Sequence, residues 1–235
     1  MKYRGFLLLF LFWGRAEAAP YDIYVLSLTW APAFCELDRR DKEQCQDLNQ
    51  TTYAALHLTV HGLWPSYPGR RWGPQNCPST ACADRRACQL ASLPDELEAD
   101  LRKYMPGVED GLHAHEWDKH GTCSGLDYVE YFQATVALAK QFESGPFAEF
   151  LREQRGQRVE FPRLRKAFRT QFGRDDAFQV TCVRRGKDFY LQEIRTCWVR
   201  KDNNHPGLMT ACFKHRVKSL RGCGGGKAII IDAVE

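Results

Sequence analysis

Residues 177–199 read AFQVTCVRRGKDFYLQEIRTCWV. Two stretches rich in β-branched and aromatic residues flank Arg184-Arg185-Gly186-Lys187, and a short polar connection holding a glycine is a hairpin turn signal. An antiparallel pair therefore lies near the C-terminus, and the rest of the chain must be arranged around it. Just upstream, periodicity suggests a helix from Phe161 to Phe172; a longer one runs from Asp127 to about Glu143, with Val129, Phe132, Val136 and Ala139/Lys140 along one side. SLPDELEADLRKYMPG is a third helix, with Ser92 as its expected cap and acids in its first turn. YDIYVLSLTWA, from Tyr21 to Ala31, alternates as a strand does. So does LHLTVHGLW, in which Leu56, Leu58 and Val60 face one way and His57, Thr59 and His61 the other. KAIIID near the end is a buried strand. Strands and helices come in runs without βαβ alternation, which predicts an α+β fold with a central antiparallel sheet packed with several helices.

The ends and the cysteines define the compartment. Lys2 and Arg4 precede an apolar run from Phe6 to Trp13, and small residues around Ala16-Glu17-Ala18 suit a cleavage site, so residues 1–18 read as a secretory signal peptide. The run is too short to span a bilayer. Residues 19–235 then form one domain, exported to the periplasm or secreted, with no membrane attachment once the signal is removed. Of the formal +4 charge, Lys2, Arg4, Arg15 and Glu17 leave with that segment, and 30 basic face 28 acidic residues. A polycation that coats nucleic acid needs far more. Ten cysteines, all beyond residue 18, point to a disulfide-stapled domain of up to five bridges. No CxxC or zinc-type Cys/His spacing occurs.

The chemistry gathers in GLHAHEWDKHGTC, Gly111 to Cys123. Placed on a helix at about 100° per residue, His115, Lys119, Glu116 and His120 fall within one sector of about 140°. Trp117 lies outside it as an anchor into the core, and Gly121 ends the helix. A zincin helix needs histidines at i and i+4. Here i+4 is Lys119, whose ammonium repels a metal, and no metal or other cofactor is expected. A solvated polar helix end is the competing reading of this segment alone. HGLWP, His61 to Pro65, changes the balance, because it places another histidine where a strand leads into a loop. Two histidines on separate rigid elements can face each other across a cleft, one taking a proton while the other gives one, with Lys119 and Glu116 stabilising charge between them. RNA suits that apparatus: its 2′-hydroxyl needs a base, its 5′-oxygen leaving group needs an acid, and no metal is required. DNA lacks the 2′-hydroxyl, so no DNA cleavage is expected.

LTVHGLWP and HEWDKHGTC together resemble the two active-site signatures of the ribonuclease T2 family. YVLSLTWAPAFC and GCGGGKAIIID are similar to the family's first and last strands, so the resemblance covers nearly all of the mature chain. Within the family, bacterial periplasmic ribonuclease I-type members look closest. The resemblance implies a metal-independent endoribonuclease that cleaves single-stranded RNA with low base specificity, first to 2′,3′-cyclic phosphates and then to 3′-phosphates. It implies His120 as general base, His61 as general acid, His115 as a phosphate contact, Glu116 and Lys119 as stabilisers of the pentacoordinate state, and Trp64 as a wall against a base. The swapped roles of His61 and His120 stay open. It also implies the disulfides Cys35–Cys45, Cys77–Cys123, Cys182–Cys223 and Cys197–Cys212, leaving Cys82–Cys88 as a local clip. Leu112 and His113 stand where the family usually has aromatic residues, and Ser66 where some relatives carry an acid, so base preference does not carry over.

The remaining features have plainer readings. His57 shares a strand face with His61 but lies about 13 Å away, and is structural or surface. His113, two residues from the helix cluster, has a subsite contact only as its weaker reading, His205 and His215 carry no case, and Arg163, Arg165, Lys166 and Arg169 form a solvated basic face. Asn49-Gln50-Thr51 is a glycosylation sequon, meaningful only in a eukaryotic secretory pathway. The expected partner is RNA and the expected state a monomer. A binding module without turnover and a secreted metalloenzyme are the rival classes.

Overall fold

The computed structural model describes residues 21–37, 41–68, 73–78, 88–212, 220–225 and 228–234. The expected signal peptide, Cys82 and His215 lie outside them. The described elements run β1 (Ile23–Thr29), α1 (Ala31–Leu37), α2 (Glu43–Gln46), α3 (Tyr53–Leu56), β2 (Thr59–Ser66), α4 (Asp95–Tyr104), α5 (Leu112–Lys119), α6 (Tyr128–Glu143), α7 (Pro146–Glu153), β3 (Gln157–Glu160), α8 (Phe161–Phe172), β4 (Phe178–Arg185), β5 (Asp188–Arg200), β6 (Pro206–Met209), β7 (Leu220–Arg221) and β8 (Ala228–Ile231).

The hairpin is the spine. β5 is 13 residues long, and its two edges are shared by four strands. One edge pairs with β1 and, beyond it, with β8; the other pairs with β4 and, beyond it, with β6. β2 adds to the outer edge of β1, giving the order β2-β1-β5-β4-β7. The centre of the sheet is antiparallel as expected, while β7 on β4 and β8 on β5 are parallel.

One face of this sheet is apolar. Tyr24, Leu26 and Leu28 of β1 with Ile194 and Trp198 of β5 pack in a core shared with Tyr131, Phe132 and Phe142 of α6, Phe147 of α7 and Phe168 of α8. Asp127 caps α6 in a reciprocal box with Glu130, which fixes where that helix begins. The α4 start differs from the expectation. Leu90–Ser92 is a separate 3₁₀ turn, and α4 begins after Pro94. Proline disfavours helical geometry in the residue before it, so Leu93 is extended and Ser92 is cut off from the helix.

The disulfides Cys35–Cys45, Cys77–Cys123, Cys182–Cys223 and Cys197–Cys212 are all formed. Cys88 is also disulfide-bonded. Among the described residues, no helix is long and apolar enough to cross a membrane.

Candidate active site

The second face of the sheet, where Ile23 and Val25 pack on the Cys197–Cys212 bridge beside Thr29, Glu193 and Arg195, forms the floor of a cleft of about 1430 Å³. How His61 reaches it depends on a bulge. In the β1–β2 ladder Leu28 pairs with Val60 and Ser27 with Gly62, so His61 is an extra residue in β2. Simple alternation would put Leu63 in the cleft with His61 and turn Trp64 into the core. The inserted residue shifts the pattern by one: Leu63 is fully buried in the core, and Trp64 opens into the cleft beside His61.

α5 forms the opposite wall. Trp117 anchors it, packed edge-on against Tyr128 and Tyr131 at 5.2 and 5.6 Å between ring centroids. The helix stops at Lys119; His120 caps it, donating its backbone N–H to the Glu116 carbonyl, and a 3₁₀ turn over Gly121–Cys123 follows. A Cβ on Gly121 would lie 2.3 Å from Trp117 Cε3, so only glycine lets the chain fold back at this point. The Cys77–Cys123 bridge, with the Asn76 N–H donated to the Lys119 carbonyl, fixes the end of the helix. His115, Glu116, Lys119 and His120 all line the cleft with His61 and Trp64. The shared sector read from the sequence is not uniformly solvated: His115 is exposed, Lys119 half-buried, and Glu116 and His120 buried.

Trp64 is the hub. Its indole N–H donates to Glu116 Oε2 at 2.6 Å, its ring meets His61 edge-on at 5.3 Å, and His120 lies 5.5 Å away on a tilted plane. Gly62 lets the carboxylate approach, since a Cβ there would stand 2.0 Å from Glu116 Oε2. His61 sits between two carboxylates. Its Nδ1 is 2.6 Å from Glu193 Oε1 and its Nε2 3.7 Å from Glu116 Oε1.

The two histidines are pushed apart in acidity. Burial pulls the His61 imidazolium down, but the hydrogen bond and charge of Glu193, with the charge of Glu116, outweigh it and hold the proton more tightly than usual. Burial, followed by the positive charges of Lys119, His115 and His61, pushes His120 down to about 3. Burial raises the Glu116 carboxyl despite opposition from His61, Trp64, His115 and Lys119. Glu193 resists its own burial through His61 and Arg195 and lies at about 2.

The six residues singled out in the sequence thus share one cleft. Glu193 and Arg195 were missed. Both lie on β5, where two charged residues two apart in the middle of a strand, and so on one face of it, were the available signal. His57 is structural: Nδ1 pairs with Glu143 Oε2 at 2.7 Å and the ring stacks on Tyr53. His113 is buried and does not line the cleft. Arg165 and Arg169 pair with Asp175 on the outer face of α8. Among the described residues, no group of three His, Cys, Asp or Glu side chains is placed to hold a metal ion.

A family model described as the ribonuclease T2 family matches residues 21–216. The chain belongs to the ribonuclease T2 family. It is 31% identical to Ribonuclease I of Escherichia coli K12 over 198 residues, covering 74% of each chain. It is 34% identical to Ribonuclease 3 of Arabidopsis thaliana over 136 residues, covering 54% of this chain and 55% of that one. Ribonuclease MC1 from bitter gourd seeds shares the fold, with a TM-score of 0.64 at 20% identity over 89% of this chain and 100% of the plant chain. In this ribonuclease T2 member, Ser66 and Leu112, where the sequence is expected to differ from its relatives, both line the cleft.

Proposed function

We propose that His61, Trp64, His115, Glu116, Lys119 and His120 divide the work of RNA cleavage in this ribonuclease T2-type endonuclease. As a family member the protein is a metal-independent endoribonuclease whose first product is a 2′,3′-cyclic phosphate. His120 takes the proton of the 2′-hydroxyl, and the freed oxygen attacks phosphorus. His61 gives its proton to the departing 5′-oxygen as the phosphorus–oxygen bond breaks. Hydrolysis of the cyclic ester reverses the roles: His61 takes a proton from water, and His120 returns one to the 2′-oxygen. Lys119 and His115 offset charge on the phosphoryl oxygens, and Glu116, held in place by the Trp64 indole N–H, helps to stabilise the pentacoordinate state. Trp64 gives a nucleobase a flat surface to pack on.

The observation that carries this division is the opposed acidity of two histidines that flank one tryptophan. Glu193 beside His61 favours its protonated form, and burial favours the neutral form of His120. We further propose that residues 19–235 act as one exported, monomeric catalytic domain; the disulfides support an oxidising compartment. Digestion of single-stranded RNA in excess EDTA, with ends read by mass spectrometry, tests the reading. Cleavage to cyclic-phosphate and 5′-hydroxyl ends is expected; loss of cleavage with chelator, or 5′-phosphate ends, would overturn it.

A further inference from the structure

His61 leans on a buried carboxylate that none of the roles above uses. Adjacent strands are about 4.8 Å apart, so β2 and β5, on either side of β1, are about 10 Å apart. His61 and Glu193 meet above β1 because its residues at that level, Ser27 and Thr29, are small: Ser27 lies opposite Gly62 and Arg195, and Thr29 opposite Thr59 and Glu193. Glu193 is itself placed by a second bulge. The β4–β5 ladder pairs Thr181 with Glu193 and Cys182 with Leu191, leaving Gln192 as the extra residue. That shift buries Leu191 in the core and turns Glu193 to the cleft face. Arg195 then closes the arrangement. Its Nε and Nη2 donate to Glu193 Oε2 at 3.0 and 2.5 Å, and its guanidinium lies 5.0 Å from the Trp64 ring centroid.

We propose that Glu193, oriented by Arg195, is a positioning residue that fixes the ring of His61 through Nδ1 so that Nε2 presents its proton to the leaving oxygen. The proposal rests on His61 acting as the acid. Glu193 is buried and reaches His61 with one oxygen and Arg195 with the other, so it acts through the histidine and does not touch substrate. The groups facing His61 are Glu193 and Arg195 from β5, Glu116 from α5, and more distantly His120 at the end of that helix. Removing Glu193 leaves Glu116, among the described residues, as the carboxylate in reach, at 3.7 Å and on the nitrogen that faces substrate.

The test compares Glu193→Gln, His61→Ala and the parent enzyme on RNA and on a nucleoside 3′-(4-nitrophenyl phosphate). The nitrophenolate leaves without a proton, so a defect confined to the acid disappears on that substrate. For Glu193→Gln we expect kcat on RNA to fall about 10- to 100-fold with KM within about threefold. The alkaline limb of its pH–rate profile moves to lower pH, and the defect shrinks to a few-fold on the nitrophenyl ester. A Glu193→Gln enzyme with parental rate and profile, or one equally impaired on both substrates, would overturn the inference. If His61→Ala keeps near-parental turnover on RNA, the acid assignment itself fails, and the inference with it. Glu193→Asp, which keeps the charge on a shorter arm, is expected to restore the alkaline limb more fully than the rate.

Discussion

Gly62 carries no functional group, yet replacing it with alanine should damage both stability and catalysis. The new Cβ would stand 2.0 Å from Glu116 Oε2, 2.6 Å from Trp64 Nε1 and 2.7 Å from Glu116 Cδ. Relief needs a displacement of about 1 Å, and the Trp64–Glu116 hydrogen bond is only 2.6 Å long, so a shift of that size at either partner breaks it. Neither partner has an easy way out. Glu116 is 1% exposed on a helix anchored by the fully packed Trp117, and Trp64 is held by His61, His120 and Arg195. Overpacking costs about 1–3 kcal/mol and a lost hydrogen bond to a buried charged group about as much again, so we expect destabilisation on the order of 3 kcal/mol. For a domain of this size that lowers Tm by about 6–12 °C. Displacing the carboxylate by about 1 Å should cost about 100-fold in kcat. Differential scanning calorimetry and initial rates on a dinucleoside substrate read the two effects separately. An alanine variant with Tm within about 2 °C of the parent and kcat within about threefold would refute the reasoning, because the cleft would then have slack that the geometry denies.

Stability should also depend on pH through His120. Its value is about 3 in the folded protein against an ordinary 6.5, so the unfolded chain binds a proton that the folded chain refuses. That contribution is complete above about pH 6.5 and is lost as pH falls toward 3, whereas the Glu193 contribution is lost only between about 4.5 and 2. Tm measured against pH should therefore decline less steeply between pH 6.5 and 4.5 in His120→Asn, with a residual slope from His113, which burial also lowers; an unchanged slope in that window would contradict the assignment. The Cys77–Cys123 bridge closes a sequence separation of 46, for which chain entropy gives about 4 kcal/mol, so the Cys77→Ser/Cys123→Ser double variant should unfold at distinctly lower urea. Because that bridge also holds the segment carrying His120, activity should fall more than the folded fraction does; a variant whose specific activity per folded molecule is parental would separate the bridge from the site.

Much of this protein was legible without coordinates. The α6 and α8 limits, the β4–β5 hairpin and the grouping of His115, Glu116, Lys119 and His120 all follow from local rules: helical periodicity, a capping aspartate, a glycine turn and 100° per residue. The pairing of His61 with that helix was read from its place at a strand end and from motif resemblance, and both lie in one cleft. The α4 start failed because Pro94 overrode a good capping residue. Tertiary structure alone decided the rest. Whether Trp64 or Leu63 faces the cleft turns on one inserted residue in a ladder with β1, and a shift of one reverses every side chain beyond it. Glu193 is 132 residues from His61 in sequence and joins it only because both strands flank β1 at a level where Ser27 and Thr29 are small. The acidities follow the same division. The sequence names the titratable groups, but burial and neighbouring charge set which histidine keeps its proton, and both depend on packing between elements far apart in the chain.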